Sequence, residues 1–229
     1  MQRIREVHEK KVQHMTYLSI INAVLRRMRE TEVTSISETA YVLLLGELVN
    51  EAKRTVESAW DWSALRADID FNATAGTISY SLTGSGDRPT VLDVINTTSK
   101  KRMCYETTAQ FRNFTKLNDA QTGSPFYFTY NGIDANGDTK VDVYPTPDAT
   151  YALSFTVVKR PSDLSTSTDT LLVPSAPVIQ IATALAARER GETGGTSAAE
   201  HFALADRTLS DAIAFDAAKY PEELVWRVL

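Results

Sequence analysis

Between Ser35 and Leu65 the sequence SISETAYVLLLGELVNEAKRTVESAWDWSAL carries more apolar surface than one helix can hide against a single neighbour. Tyr41, Leu44, Leu45, Leu48, Ala52, Val56 and Ala59 recur at the three- and four-residue spacing of one helical face. Val42, Leu43 and Val49 widen that stripe, so the spacing predicts a long helix packed on two sides. Ser35 and Glu38 have the reciprocal spacing of a capping box, with Ser37 as a competing cap. Glu47, Glu51, Arg54 and Ser58 leave a narrow polar edge, expected to face water or a neighbouring subunit. Lys53 and Glu57 stand one turn apart, a charge pair worth about 0.2–0.5 kcal/mol. Trp60 and Trp62 cannot share a helical face, so the chain is expected to leave the helix there.

A second helix is expected before this one, from Thr16 to about Glu30, with Leu18, Ile21, Leu25 and Met28 as its stripe and Tyr17, Ile20 and Val24 flanking. Residues 1–14 are charged and read as an arm or a solvated extension. After Leu65 the period changes to short β-branched and aromatic runs broken by Gly and Asp: 68–71, 77–82, 91–95, 103–107, 126–130, 140–144 and 151–159, roughly seven strands. Residues 109–117 fit either a short helix or a loop. Pro161–Val173 is a Ser/Thr/Asp-rich connector, after which helices resume. Val178, Ile181, Ala182, Leu185 and Ala186 form one stripe ending at Gly191. Ser197 and Glu200 have capping-box spacing ahead of a last helix with Phe202, Ala205, Leu209, Ala212 and Ile213 on one side. Neither helical end can bury its face alone. The expected architecture is therefore α+β: a four-helix domain from both chain ends (1–65 and 174–229) with a mostly antiparallel β domain, 66–173, inserted between its halves.

With 43% apolar residues in 229, the chain can bury a substantial core. A net charge of −5 argues against a protein that grips nucleic acid through its phosphates. The single Cys104 excludes an internal disulfide and suits a reducing cytoplasm. No apolar run reaches spanning length, and the charged opening lacks the apolar core of a secretory signal.

Three stretches superficially suggest ligand loops. Asp134–Asp138 resembles the start of a calcium loop, but Thr139 replaces the required Gly and Pro145 the bidentate Glu, so a hairpin turn is expected. Residues 191–197 lack the Lys of a phosphate-cradling loop, and Gly84–Gly86 lacks the third Gly of a dinucleotide fingerprint. His8 and His14 have no accompanying ligand cluster; His201 and Cys104 sit in no nucleophile motif. These readings give no catalytic residue, no metal and no cofactor.

The segment TYLSIINAVLRRMRETEVTSISETAYVLLLGELVNEAKRTVESAWDWSAL resembles the amino-terminal part of the head-to-tail adaptor proteins of short-tailed phages, also called tail tubular protein A. The likeness covers residues 16–65: a leading Leu-rich helix with Asn22, a second helix with Asn50-Glu51-Ala52, and the aromatic close at Trp60 and Trp62. Beyond them it extends only as the order helices, β domain, helices. The resemblance implies a virion protein, assembled in the host cytoplasm, in a ring of about twelve copies. That ring would join the portal to the tail nozzle and line part of the channel through which DNA is ejected, with the DNA passing through and no specific binding. Glu47, Glu51, Arg54 and Arg26 are then expected at the subunit interface. The closing residues Leu224, Val225, Trp226, Arg227, Val228 and Leu229 are too apolar for a free tail. Either they pack back near Trp60 and Trp62, or they form an arm inserted between portal subunits with Trp226 as anchor. Two other classes are a carbohydrate- or receptor-binding module using Tyr127, Tyr130 and Tyr144 as stacking platforms, and a small hydrolase.

Overall fold

A computed structural model describes residues 14–117, 121–191 and 196–219. In chain order its elements are α1 (Tyr17–Arg27), α2 (Ala40–Ala59), β1 (Arg66–Ala73), β2 (Ser79–Ser81), β3 (Thr90–Asn96), β4 (Lys101–Arg102), β5 (Cys104–Tyr105), α3 (Thr108–Arg112), β6 (Tyr127–Ile133), β7 (Thr139–Tyr144), β8 (Tyr151–Val158), α4 (Ser175–Glu189) and α5 (Thr196–Ala217). Two compact units result. One takes the described residues up to Trp60 and from Asp163 onward, and the other is Asp61–Ser162.

In the helical unit, α4 packs against α1, α2 and α5. Its stripe is therefore broader than the spacing predicts: Val178, Ala182, Leu185 and Ala186 are buried as expected, and so are Ile179, Thr183, Ala184 and Ala187, while Ile181 is only half-buried. Four alanines in the second half of α4 allow its neighbours to approach closely. The buried arc of α1 is rotated from the expected one. Tyr17, Ile20, Ile21, Val24 and Leu25 are covered, whereas Leu18 and Met28 are half-exposed, because α1 is sandwiched by α2 and α4 and its arc centres between them. Thr16 caps α1 by accepting the Ser19 N–H at 3.3 Å. The helix ends at Arg27, short of the expected Glu30. Arg29 takes φ 58° while Glu30 N–H returns to the Leu25 carbonyl, a left-handed closure more often built on Gly.

The long central helix is shorter than its apolar pattern. Thr39, not Ser35, caps α2 by accepting the Val42 N–H at 3.2 Å. Glu38 accepts the Thr34 N–H at 2.8 Å and the Thr34 hydroxyl at 3.2 Å, so the Ser35–Glu38 segment folds as a turn ahead of the helix. Lys53 and Glu57 also differ from expectation: their side chains are each 2% exposed, 3.1 Å apart. The surface value does not transfer to such a pair, because removing both charges from water opposes their attraction. The helix stops at Ala59, Trp60 is extended, and Trp62, 1% exposed, opens the β unit. The connector read as Ser/Thr/Asp-rich supplies three buried apolar residues, Leu164, Leu171 and Val173. Ser197 lies inside α5, whose described part begins at Thr196.

The β unit is a two-sheet sandwich, with strand orders β1-β8-β3-β4 and β2-β7-β6-β5. All described pairings are antiparallel except β5 with β6. Its core joins Val94, Leu153, Phe155 and Val157 of one sheet to Phe128, Val141 and Val143 of the other, with the Phe128 and Phe155 rings 5.5 Å apart. The run read as one strand at 103–107 is strand only at β5, Cys104–Tyr105, and β4 precedes it at Lys101–Arg102. β4 and β5 belong to different sheets, and Met103 between them is buried as the chain crosses the core. Residues 109–117 are helical: α3, capped by Thr107, continues as a π-helical turn over Asn113–Leu117. The architecture is α+β.

Candidate assembly surfaces

Polar side chains within the helical unit divide into those that tie the fold and those left facing outward. Asn50 accepts the Leu164 N–H at 2.9 Å and donates to the Leu164 carbonyl at 3.0 Å. Asn22 does the same for Val33, both bonds 3.0 Å. Each amide substitutes for a missing backbone partner and pins an irregular segment to a helix. Asp169 accepts the Thr166 hydroxyl at 2.5 Å and the Thr166 and Ser165 N–H groups at 2.8 and 2.6 Å. These bonds hold its carboxyl down at about 2, and its backbone carbonyl receives the Tyr17 N–H at 2.8 Å. The Tyr17 phenol is raised, first by burial and then by the negative field of Asp163, Glu47 and Asp169.

The residues expected at a subunit interface lie on the surface. Glu47, Glu51, Arg54 and Arg26 are all exposed. Arg54 pairs with Asp163 at 2.6 Å and Arg26 with Glu32 at 2.6 Å, so both serve local contacts. The Glu47 and Glu51 side chains make no hydrogen bond or ion pair with another described residue, and the Glu51 carbonyl accepts the Thr55 hydroxyl at 3.0 Å. The segment Leu224–Leu229 and His8 lie outside the described residues. At the end of α1, Arg27 and Arg29 line an open crevice of about 560 Å³ with Gln180, Thr183, His201 and Leu204. Burial lowers the Arg27 guanidinium.

Two of the three motif-like stretches receive structural explanations, and residues 192–195 of the third lie outside the described residues. Asp138 Oδ2 accepts the Gly84 N–H at 3.0 Å and Oδ1 the Gly86 N–H at 2.9 Å, while Ser85 Oγ accepts the Thr139 N–H at 3.1 Å. The turn resembling a calcium loop and the turn resembling a nucleotide loop thus clasp each other. Asp134 is spent likewise, accepting the Asn136 and Asp138 N–H groups, with the Asp138 bond the leading cause of its lowered carboxyl. The Asp134–Asp138 stretch is the hairpin turn expected between β6 and β7. His14 Nδ1 lies 3.0 Å from the Leu171 carbonyl, and Cys104 is exposed on β5. Among the described residues no cluster of three or more His, Cys, Asp or Glu is placed to hold a metal ion. None of the described helices is long and apolar enough to cross a membrane.

Of the three tyrosines considered as stacking platforms, Tyr144 is buried and Tyr127 half-buried, with Phe114 stacked on both at 5.2 and 5.5 Å. Tyr130 alone is exposed, at 38%. The sequence reading missed an outward stripe on α5. Leu204 is 45% and Phe215 79% exposed, with Arg207 and Asp211 between them. Its signal was available: both apolar residues fall off the stripe that packs α5 on α4.

No curated protein matches the chain. A family model described as SU10 adaptor protein matches residues 15–224, which takes in both units and all thirteen elements, and the chain therefore belongs to that family of phage head-to-tail adaptors.

Proposed function

We propose that the protein assembles as a ring of about twelve copies seated between the portal and the tail nozzle, forming part of the DNA ejection channel. The observation carrying this reading is the family match across both units, 15–224. The outward charges fit it. The Glu47 and Glu51 carboxylates form no ion pair with another described residue, and a net charge of −5 repeated around a ring gives a field that repels DNA from the wall. Glu47, Glu51, Arg54 and Arg26 are proposed to face the neighbouring subunit, and Leu224–Leu229 to insert between portal subunits with Trp226 as anchor.

The test is electron microscopy of the purified protein mixed with the portal of its phage. Annular density stacked on the portal is expected, and portal particles without added density would overturn the reading. For the arm, removing residues 222–229 is expected to leave the thermal midpoint almost unchanged and abolish attachment. A large fall in midpoint with attachment retained would mean that the segment packs on its own domain.

A further inference from the structure

Two outward stripes of the helical unit match each other. On α2, Leu43 (53% exposed), Glu47, Glu51 and Arg54 recur at i, i+4, i+8 and i+11. On α5, Leu204, Arg207, Asp211 and Phe215 recur at i, i+3, i+7 and i+11. Each stripe therefore spans about 16 Å of helix. The Arg207 side chain, like those of Glu47 and Glu51, makes no hydrogen bond or ion pair with another described residue. α4 packs on both helices and separates them, so the stripes occupy different flanks of the unit.

From the exposed apolar ends and the Arg207–glutamate contact that these stripes allow, we propose that the α5 stripe of one copy docks on the α2 stripe of a second copy, making the junction between neighbours head-to-tail. The inference rests on the ring reading and supplies its two contact faces. Laid together in either direction, an apolar α5 residue meets Leu43 and Arg207 meets a glutamate. In the parallel alignment these are Leu204 on Leu43 and Arg207 on Glu47; in the antiparallel alignment they are Phe215 on Leu43 and Arg207 on Glu51. Asp211 meets the remaining glutamate in both cases, a like-charge contact. Because the two faces are different surfaces, each copy keeps one of each free after pairing. Such a junction closes into a ring or grows as a filament and does not stop at a dimer.

Disulfide trapping reads this directly, since Cys104 is the only native thiol. In a Cys104→Ser background, Arg207→Cys combined with Glu47→Cys or with Glu51→Cys is oxidised and run without reductant. At least one of the two double variants is expected to give a ladder of dimers, trimers and longer chains, and each single-cysteine variant at most dimers. A mixture of the Arg207→Cys variant with the laddering partner should stop at heterodimers. No species beyond dimers from either double variant would overturn the proposal. Adding Asp211→Asn is expected to raise the ladder yield severalfold, because it removes the like-charge contact. Phe215→Asp should shorten the ladder at an unchanged thermal midpoint. An intact ladder with a sharply lowered midpoint would mean that Phe215 is covered by its own chain, and would overturn the docking face. Annular particles on the portal without a ladder would remove this junction and leave the ring. A ladder without such particles would do the reverse.

Discussion

The two units solve the same problem, fixing irregular chain beside regular elements, with different side chains. In the helical unit, helix-borne amides reach out to irregular backbone: Asn50 to Leu164, 114 positions away, and Asn22 to Val33, 11 away. In the β unit the work is done turn to turn, with Asp138 holding the 84–86 loop and buried Asn96 accepting the Ser99 N–H at 3.0 Å and donating to the Pro125 carbonyl at 3.2 Å. The helical unit is closed by segments from both ends of the chain, whereas the β unit is one continuous stretch. A helix presents side chains radially and can staple a distant strand of chain, while a sandwich brings its own loops together at its rims.

That contrast can be broken most forcefully through the cores. Phe155→Ala in the sandwich is expected to cost about 3–5 kcal/mol, and Leu45→Ala in the helical core about 2–5 kcal/mol, both residues being 0% exposed. We propose that the two units are separate folding units. Calorimetry should then show each substitution lowering a different transition. Equal shifts of a single transition would make the chain one cooperative body. Leu48→Ala, half-exposed, should fall well below the Leu45 value.

Amide staples come next. Asn50→Ala strands the Leu164 N–H and carbonyl and is expected to cost about 1–3 kcal/mol in denaturant unfolding. Asn96→Ala should cost a similar amount in the β unit. A loss confined to Asn96 would show that the long-range staples are ornaments on helix packing. Gly46→Ala sharpens the same point. An alanine in place of a mid-helix glycine ordinarily stabilises by about 0.5–1 kcal/mol. Here the added carbon would collide with the Tyr17 phenol oxygen, so the substitution is expected to destabilise.

The smallest effects lie in charge. Asp169 has its folded carboxyl held at about 2, below the ordinary 3.8. Its contribution is therefore complete above the ordinary value and is lost as pH falls through the folded one. Asp169→Asn should lower the neutral plateau of a stability profile and flatten its acid limb, with the smallest change below the folded value of about 2. Arg54→Ala, breaking an exposed pair with Asp163, should cost at most about 0.2–1 kcal/mol.

Local chemistry determined what could be read early. The switch from three-and-four to alternating apolar spacing after Leu65, and back after the connector, is a property of the sequence alone, and it fixed the α+β order. The failure of the Asp134–Asp138 stretch to meet calcium-loop chemistry, with Thr139 and Pro145 at the wrong positions, is likewise a property of the sequence. Only tertiary packing decided which arc of a helix is covered. Leu18 and Met28 yielded to Ile20 and Val24 because α1 has two neighbours, and Lys53 with Glu57 moved from an expected edge into the interior. Caps depended on it as well, since Ser35 and Thr39 are both competent and the choice is made by where the preceding chain is held. Exposure of Phe215 follows the same rule: a residue's apolarity is written in sequence, but whether anything covers it depends on neighbours that approach from elsewhere in the fold.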